Sequence, residues 1–99
     1  MNKYDIFFGN LANPLRIGII TLLKEKDMSV TEIIERLGVE QSKLSHALKS
    51  LRDCNIVNVK KQGKKRIYSL NKKTILPILN TIDKHEKEFC KGKCTRHIK

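Results

Sequence analysis

The chain has no tryptophan, only five other aromatic residues, two prolines, and 10 acidic side chains against 21 Lys plus Arg. With so few acids the formal charge is +11 and the pI near 9.8, the electrostatic footprint of a protein that meets nucleic acid. No apolar run approaches the ~20 residues that a membrane span requires. The first ten residues, MNKYDIFFGN, lack the long apolar core and small-residue cleavage site of a secretory signal. The expected partners therefore include no membrane, and the expected location is the cytoplasm. There the three cysteines, Cys54, Cys90 and Cys94, stay reduced unless they serve as sensors or ligands. A Gly-rich phosphate loop, a nucleophile elbow and a pocketed acid pair are all missing, which leaves an enzyme without its parts. A chain of 99 residues makes one small domain able to bury about 60–65% of its unfolded surface. A partner subunit would add to its stability.

The positive charge is localised. Residues 41–73 hold Lys43, Lys49, Arg52, Lys60, Lys61, Lys64, Lys65, Arg66, Lys72 and Lys73 against Asp53 alone. Leu44, Ala47, Leu48 and Leu51 repeat at i, i+3, i+4, i+7 and form one apolar helical face. Ser42, Ser45, His46 and Lys49 repeat with the same spacing on the opposite side, with Gln41 just ahead. A helix that packs on one side and presents short polar and basic side chains on the other suits a DNA major groove. Two β-prone runs follow, residues 56–59 and 67–70, and between them Lys60, Lys61, Lys64, Lys65 and Arg66 make a seven-residue turn of five cations. Helix and hairpin together read as a recognition helix with a basic wing.

Upstream, Tyr4, Phe7, Phe8 and Leu11 share one face of a helix over residues 3–11, which covers the core or docks a second subunit. Asn13-Pro14 starts a second helix, apolar nearly all round from Leu15 to Leu23. Gly18 in its middle costs up to about 1 kcal/mol against Ala, which a close helix approach would explain. Ser29 and Glu32 are spaced as a capping box, and Gly38 sits where that third helix needs a left-handed residue. Only Val39-Glu40 separates it from the helix at 41, so residues 29–53 read as a helix-turn-helix. Residues 72–90 give a last helix with Ile75, Leu79, Ile82 and Phe89 in a stripe and Pro77 in the first turn. That stripe needs a surface to pack on, and a second copy of the helix, joined by the N-terminal Phe pair, is the simplest. Cys54 is expected to be a small core residue.

The blocks LANPLRIGIITLL, SVTEIIERLGV, QSKLSHALKSLRDCNIV and KKQGKKRIYSL resemble successive parts of the ArsR (ArsR/SmtB) winged-helix transcriptional regulators, over about residues 6–82. The resemblance implies a homodimer on a palindromic operator, usually repressing, and often released by metal ions or another small signal. Three features depart from the family pattern. Glu40 stands where many relatives carry a capping Ser, so the recognition helix would start weakly or be capped by Gln41. Asn55 replaces the commoner Gly, which Asn can do because it tolerates left-handed geometry. The third helix has no cysteine pair, so the family's thiolate sensor at that place is missing.

The last fifteen residues contain His85, Cys90, Cys94 and His97, the donor set of a tetrahedral zinc site. On a straight α-helix Cys94 and His97 lie about 40° and 20° to either side of Cys90, whereas His85 falls about 140° away. Glu86 shares the cysteine face. Either the helix breaks near Gly92, or His85 belongs to another site. The family resemblance implies a different arrangement, in which D-x-H from one subunit meets H-x2-H or H-x2-E from the other. Asp83-Lys84-His85 matches its first half, and Cys94-x2-His97 resembles its second half a couple of residues out of register. The readings left open are zinc or another thiophilic divalent metal, a redox pair or interchain disulfide, and no ligand role. Lys91, Lys93 and Arg96 beside the cysteines would favour thiolate and so the first two.

The expected fold is thus mainly α with a small β-hairpin: a single winged helix-turn-helix domain, five helices with the wing between the fourth and fifth. Residues 1–12 and 72–90 would serve dimerisation and 91–99 form a Cys/His/Lys tail. The expected function is sequence-specific binding of double-stranded operator DNA as a transcriptional repressor, responsive to metal or redox through the C-terminal cluster. Gln41, Ser42, Ser45 and His46 would meet base edges. Lys43, Lys49, Lys60, Lys61, Lys64, Lys65 and Arg66 would meet phosphates. The alternatives are a winged helix that binds proteins, which would expose an apolar recognition face, and a regulator whose metal site is purely structural or absent.

Overall fold

The computed structural model describes residues 2–90. Every early helix starts on a side-chain cap. Asn2 accepts from the amides of Tyr4 and Asp5 and opens α1 (Lys3–Leu11). Asn13 accepts from Leu15 and Arg16 and opens α2 (Pro14–Glu25), with proline at the position where a missing amide costs nothing. Ser29 and Glu32 form the reciprocal capping box of α3 (Val30–Leu37). Gly38 closes that helix at φ 65°, and α4 (Gln41–Asp53) begins after a short turn. Glu40 is the N-cap of α4 but makes no side-chain cap bond, and Gln41 is the first helical residue rather than a cap.

The end of α4 is set more firmly than its start. The amide of Ile56 donates to the Leu51 carbonyl and that of Asn55 to the Arg52 carbonyl, each at 2.9 Å, with Asn55 at φ 60°. This is a Schellman motif with Asn in the left-handed seat, and buried Leu51 and Ile56 make its hydrophobic contact. Cys54 lies on the outside of that turn. It is exposed, contrary to the core position expected for it, and its sulfur accepts from Asn10 Nδ2 at 2.8 Å.

Three strands form an antiparallel sheet in the order β1-β3-β2: β1 (Met28–Ser29), β2 (Val57–Gln62) and β3 (Lys65–Leu70). β1 is two residues long, too short to show in periodicity, and pairs Met28 with Tyr68 and Ser29 with Ile67. The wing also differs from expectation. Its strands run on through the lysines, Lys60 facing Ile67, Lys61 facing Arg66 and Gln62 facing Lys65. Only Gly63-Lys64 remain as the turn. Gly63 at φ 62° takes the first central position, as a type II′ hairpin requires.

The core is built from α2 (Ile19, Ile20, Leu22, Leu23), α4 (Leu44, Ala47, Leu48, Leu51), the inner sheet face and Ile75. A Cβ on Gly18 would stand 3.4 Å from Leu37 Cδ2, an ordinary contact. The approach of α3 to α2 therefore does not require glycine. The chain turns through 72–74 before α5 (Ile75–His85), anchored by Asn71, whose carbonyl accepts from Ile75 and whose side chain donates to the Asn55 carbonyl at 2.8 Å. Lys24 of α2 pairs with Asp83 of α5. Residues Glu86–Cys90 continue α5 as a π-helical turn.

Candidate nucleic-acid interface

α4 buries Leu44, Ala47, Leu48 and Leu51 and leaves Gln41, Ser42, Lys43, Ser45, His46 and Lys49 exposed. The exposed residues are not one stripe but two flanks. Gln41, Ser45, Lys49 and Arg52, spaced i, i+4, i+8, i+11, line a groove of about 480 Å³ that the wing closes with Lys64, Lys65 and Arg66. Ser42, Lys43 and His46 face the other way, into a groove of about 360 Å³ shared with Asn13, the cap of α2, and with Arg16. α4 thus carries a separate set of polar and cationic groups on each of its two exposed flanks.

The lengthened strands redistribute the wing charges. Lys64, Lys65 and Arg66 reach the groove beside α4, whereas Lys60 and Lys61 lie on the exposed part of β2, outside that groove. Arg52 and Thr31 line the groove and were not among the expected DNA contacts. The signal for Arg52 was present, since it continues the Ser45–Lys49 row by three residues. Thr31 could be found only once β1 had drawn the start of α3 against β3.

Two carboxylates bracket α4. Ser42 Oγ donates to Glu40 Oε1 at 3.1 Å at its start, and Lys49 Nζ pairs with Asp53 Oδ2 at 3.1 Å near its end. Arg16 is tied back to α1, donating to the Asn10 carbonyl at 3.0 Å and to the Asn10 side chain. Lys43, Arg52 and the wing cations make no ion pair among the described residues. At the start of α3, the Ser29 amide, first, and Lys26, to a smaller degree, hold the Glu32 carboxyl below its ordinary pKa.

Away from this face lies an apolar one. Tyr4 (63% exposed), Phe8 (58%), Ile82 (53%) and Phe89 (71%) project from α1, α5 and the π-turn. Tyr4, Phe7, Phe8 and Ile78 line a cleft of about 390 Å³ between the two terminal helices. Leu11 packs on the core, and Phe7 touches both core and cleft, so the α1 stripe is shared between core and surface.

The π-turn revises the geometry of the C-terminal cluster. Its i→i+5 closure brings residues five apart onto one face, so His85 Nε2 lies 3.4 Å from Cys90 Sγ and the His85 ring stacks on Phe89. His85 is therefore not turned away from Cys90, and the helix changes pitch at Glu86, ahead of Gly92. Two ligands of a tetrahedral zinc, at about 2.3 Å for sulfur and 2.0–2.1 Å for nitrogen, would stand about as far apart. Asp83 is engaged by Lys24. No group of three or more metal donors occurs among the described residues, and Cys94 and His97 lie outside them. Cys90 itself is disulfide-bonded, so a thiolate centre there would require reduction.

Comparison with known proteins places this geometry. A family model described as bacterial regulatory protein, arsR family, matches residues 13–59, from the cap of α2 into β2. The transcriptional regulator NmtR of Mycobacterium tuberculosis is 33% identical over 87 residues, 88% of this chain and 72% of that protein. The arsenical resistance operon repressor of Staphylococcus xylosus is 34% identical over 79 residues, 74% of this chain and 76% of the relative. Among solved structures, Rv0081 of M. tuberculosis superposes with a TM-score of 0.80 at 34% identity, covering 92% of each chain. No single helix among the described residues is long and apolar enough to cross a membrane.

Proposed function

Because the chain belongs to the ArsR family of bacterial regulatory proteins, we propose that it is a homodimeric repressor that reads a palindromic operator in double-stranded DNA. The observation that carries this is the pair of grooves flanking α4, each lined by short hydrogen-bonding side chains and cations. Gln41, Ser42, Ser45 and His46 are short enough to approach base edges. Lys43, Lys49 and the wing cations Lys60, Lys61, Lys64, Lys65 and Arg66 contact phosphates. A winged helix that binds proteins would expose an apolar patch on α4, where these side chains stand instead. The apolar cleft between α1 and α5 supports pairing with a second copy, which sets two recognition helices one helical turn apart, about 34 Å. The test compares variants on an operator obtained by selection and on random duplex. Ser45→Ala with His46→Ala reduces discrimination between the two, whereas Lys64→Ala with Lys65→Ala weakens both alike. Equal wild-type binding to both would contradict sequence-specific regulation.

A second function is supported by the approach of His85 to Cys90. In the reduced protein these two, with Cys94 and His97, hold zinc or another thiophilic divalent ion, with Glu86 and Asp83 as further oxygen donors. Such an ion would bias the relative orientation of the paired subunits and so their fit to the operator. Metal content after purification without chelator, followed by DNA binding before and after metal removal under reducing conditions, decides it. A sensor changes operator affinity, a structural clasp changes only melting temperature, and a protein that takes up no metal has neither.

A further inference from the structure

We propose that Arg52 is the phosphate anchor of the groove between α4 and the wing, and that Asp53 tempers this groove by holding Lys49. The inference rests on the duplex-DNA reading above and assigns roles within its non-specific part. Lys49 and Arg52 from α4 and Lys64, Lys65 and Arg66 from the wing line a single groove, with Thr31 also in its lining and no acid there. Five cations brought together by two separate elements repel one another in the free protein. A run of phosphodiesters relieves that repulsion, and so the groove favours a polyanionic strand over an isolated neutral ligand.

The two cations contributed by α4 are not equivalent. Lys49 Nζ lies 3.1 Å from Asp53 Oδ2, in an i, i+4 pair, and must leave that carboxylate before it can meet a phosphate. Arg52, one residue before Asp53, makes no ion pair among the described residues. Its planar guanidinium can present two parallel N–H donors to phosphate oxygens, a geometry that an ammonium lacks. Its C-terminal place on the exposed face of α4, beyond Ser45 and Lys49, sets it over the rim of a major groove, where backbone rather than base edges would lie. Asp53 therefore acts twice against binding, by occupying Lys49 and by adding a negative charge beside the strand that Arg52 holds.

The test measures binding of the full chain to a random-sequence duplex by fluorescence anisotropy across a sodium chloride series. Arg52→Gln is expected to weaken binding and to make the log–log salt slope shallower by about 0.9 for each protomer, the loss of one phosphate contact. Arg52→Lys keeps most of the slope but binds more weakly, because the charge remains and the fork is lost. Lys49→Gln costs less than Arg52→Gln. Asp53→Asn tightens binding by about 1.4- to 2.3-fold for each protomer, the worth of an exposed i, i+4 pair, and gains less when Lys49→Gln is already present. Each variant replaces an exposed side chain, and unchanged thermal unfolding confirms that folding is intact. An unaltered slope in Arg52→Gln, or Asp53→Asn binding no tighter than wild type, overturns this assignment while leaving the DNA-binding reading standing. A wild type that ignores duplex DNA at low salt overturns both.

Discussion

Glu32 carries the clearest pH dependence at the level of single residues. Its Oε1 accepts from the Ser29 amide at 3.1 Å, and that bond, with Lys26 behind it, depresses the carboxyl pKa in the folded protein. A depressed folded pKa means that the stabilisation is complete above the unfolded value and is lost as pH falls through the folded one. Urea titrations from neutral to acidic pH should show this increment disappear in the wild type. Glu32→Gln should be less stable at neutral pH and should converge on the wild type in acid. Gly18 offers the opposite kind of change. Because a Cβ there meets Leu37 at an ordinary distance, Gly18→Ala is expected to stabilise the protein by up to about 1 kcal/mol, read as a rise in melting temperature. A fall would mean that α3 cannot yield at Leu37. The caps at Asn13, Ser29 and Gly38 were legible because each depends on local chemistry within a few residues. The exposure of Cys54 was not, since small size is compatible with core or surface. Only the Schellman turn through Asn55 decides which way it faces.

At the level of elements, α4 and the wing show what a pattern can and cannot carry. The two faces of α4 follow from helical spacing alone, but their division between two grooves depends on where α2 and the wing lie. The wing's strand length escaped a reading based on β propensity because lysine is a poor strand former. Backbone pairing across a two-residue glycine turn extends the ladder regardless. One consequence is that Lys61 and Arg66 are directly opposed, a like-charge pair of the kind that destabilises a hairpin. Lys61→Thr should therefore raise the melting temperature at low salt and lower affinity for every duplex. If stability is unchanged while affinity falls, the two charges splay apart in solution. The π-turn was also beyond pattern reading. At 100° per residue His85 and Cys90 diverge, and only a change of helical pitch reunites them.

For the whole molecule, the proposed operator reading requires one small domain to meet two half-sites. The grooves flanking α4 and the apolar cleft occupy different surfaces, so two copies joined through α1 and α5 can each leave α4 and the wing free. Tyr4→Glu with Ile82→Glu alters side chains that the core does not need and should yield a folded monomer by sedimentation. Losing the second half-site should weaken operator binding by about 10²-fold or more. A variant that remains dimeric would move the pairing surface elsewhere. The most direct measurement of the central claim is selection of the purified wild-type protein against a fully randomised duplex pool at moderate salt. The expected result is enrichment of an inverted repeat with half-site centres about 10 bp apart. Recovery of unenriched sequence, or no retention of duplex even at low salt, would contradict a dimeric reader of operator DNA.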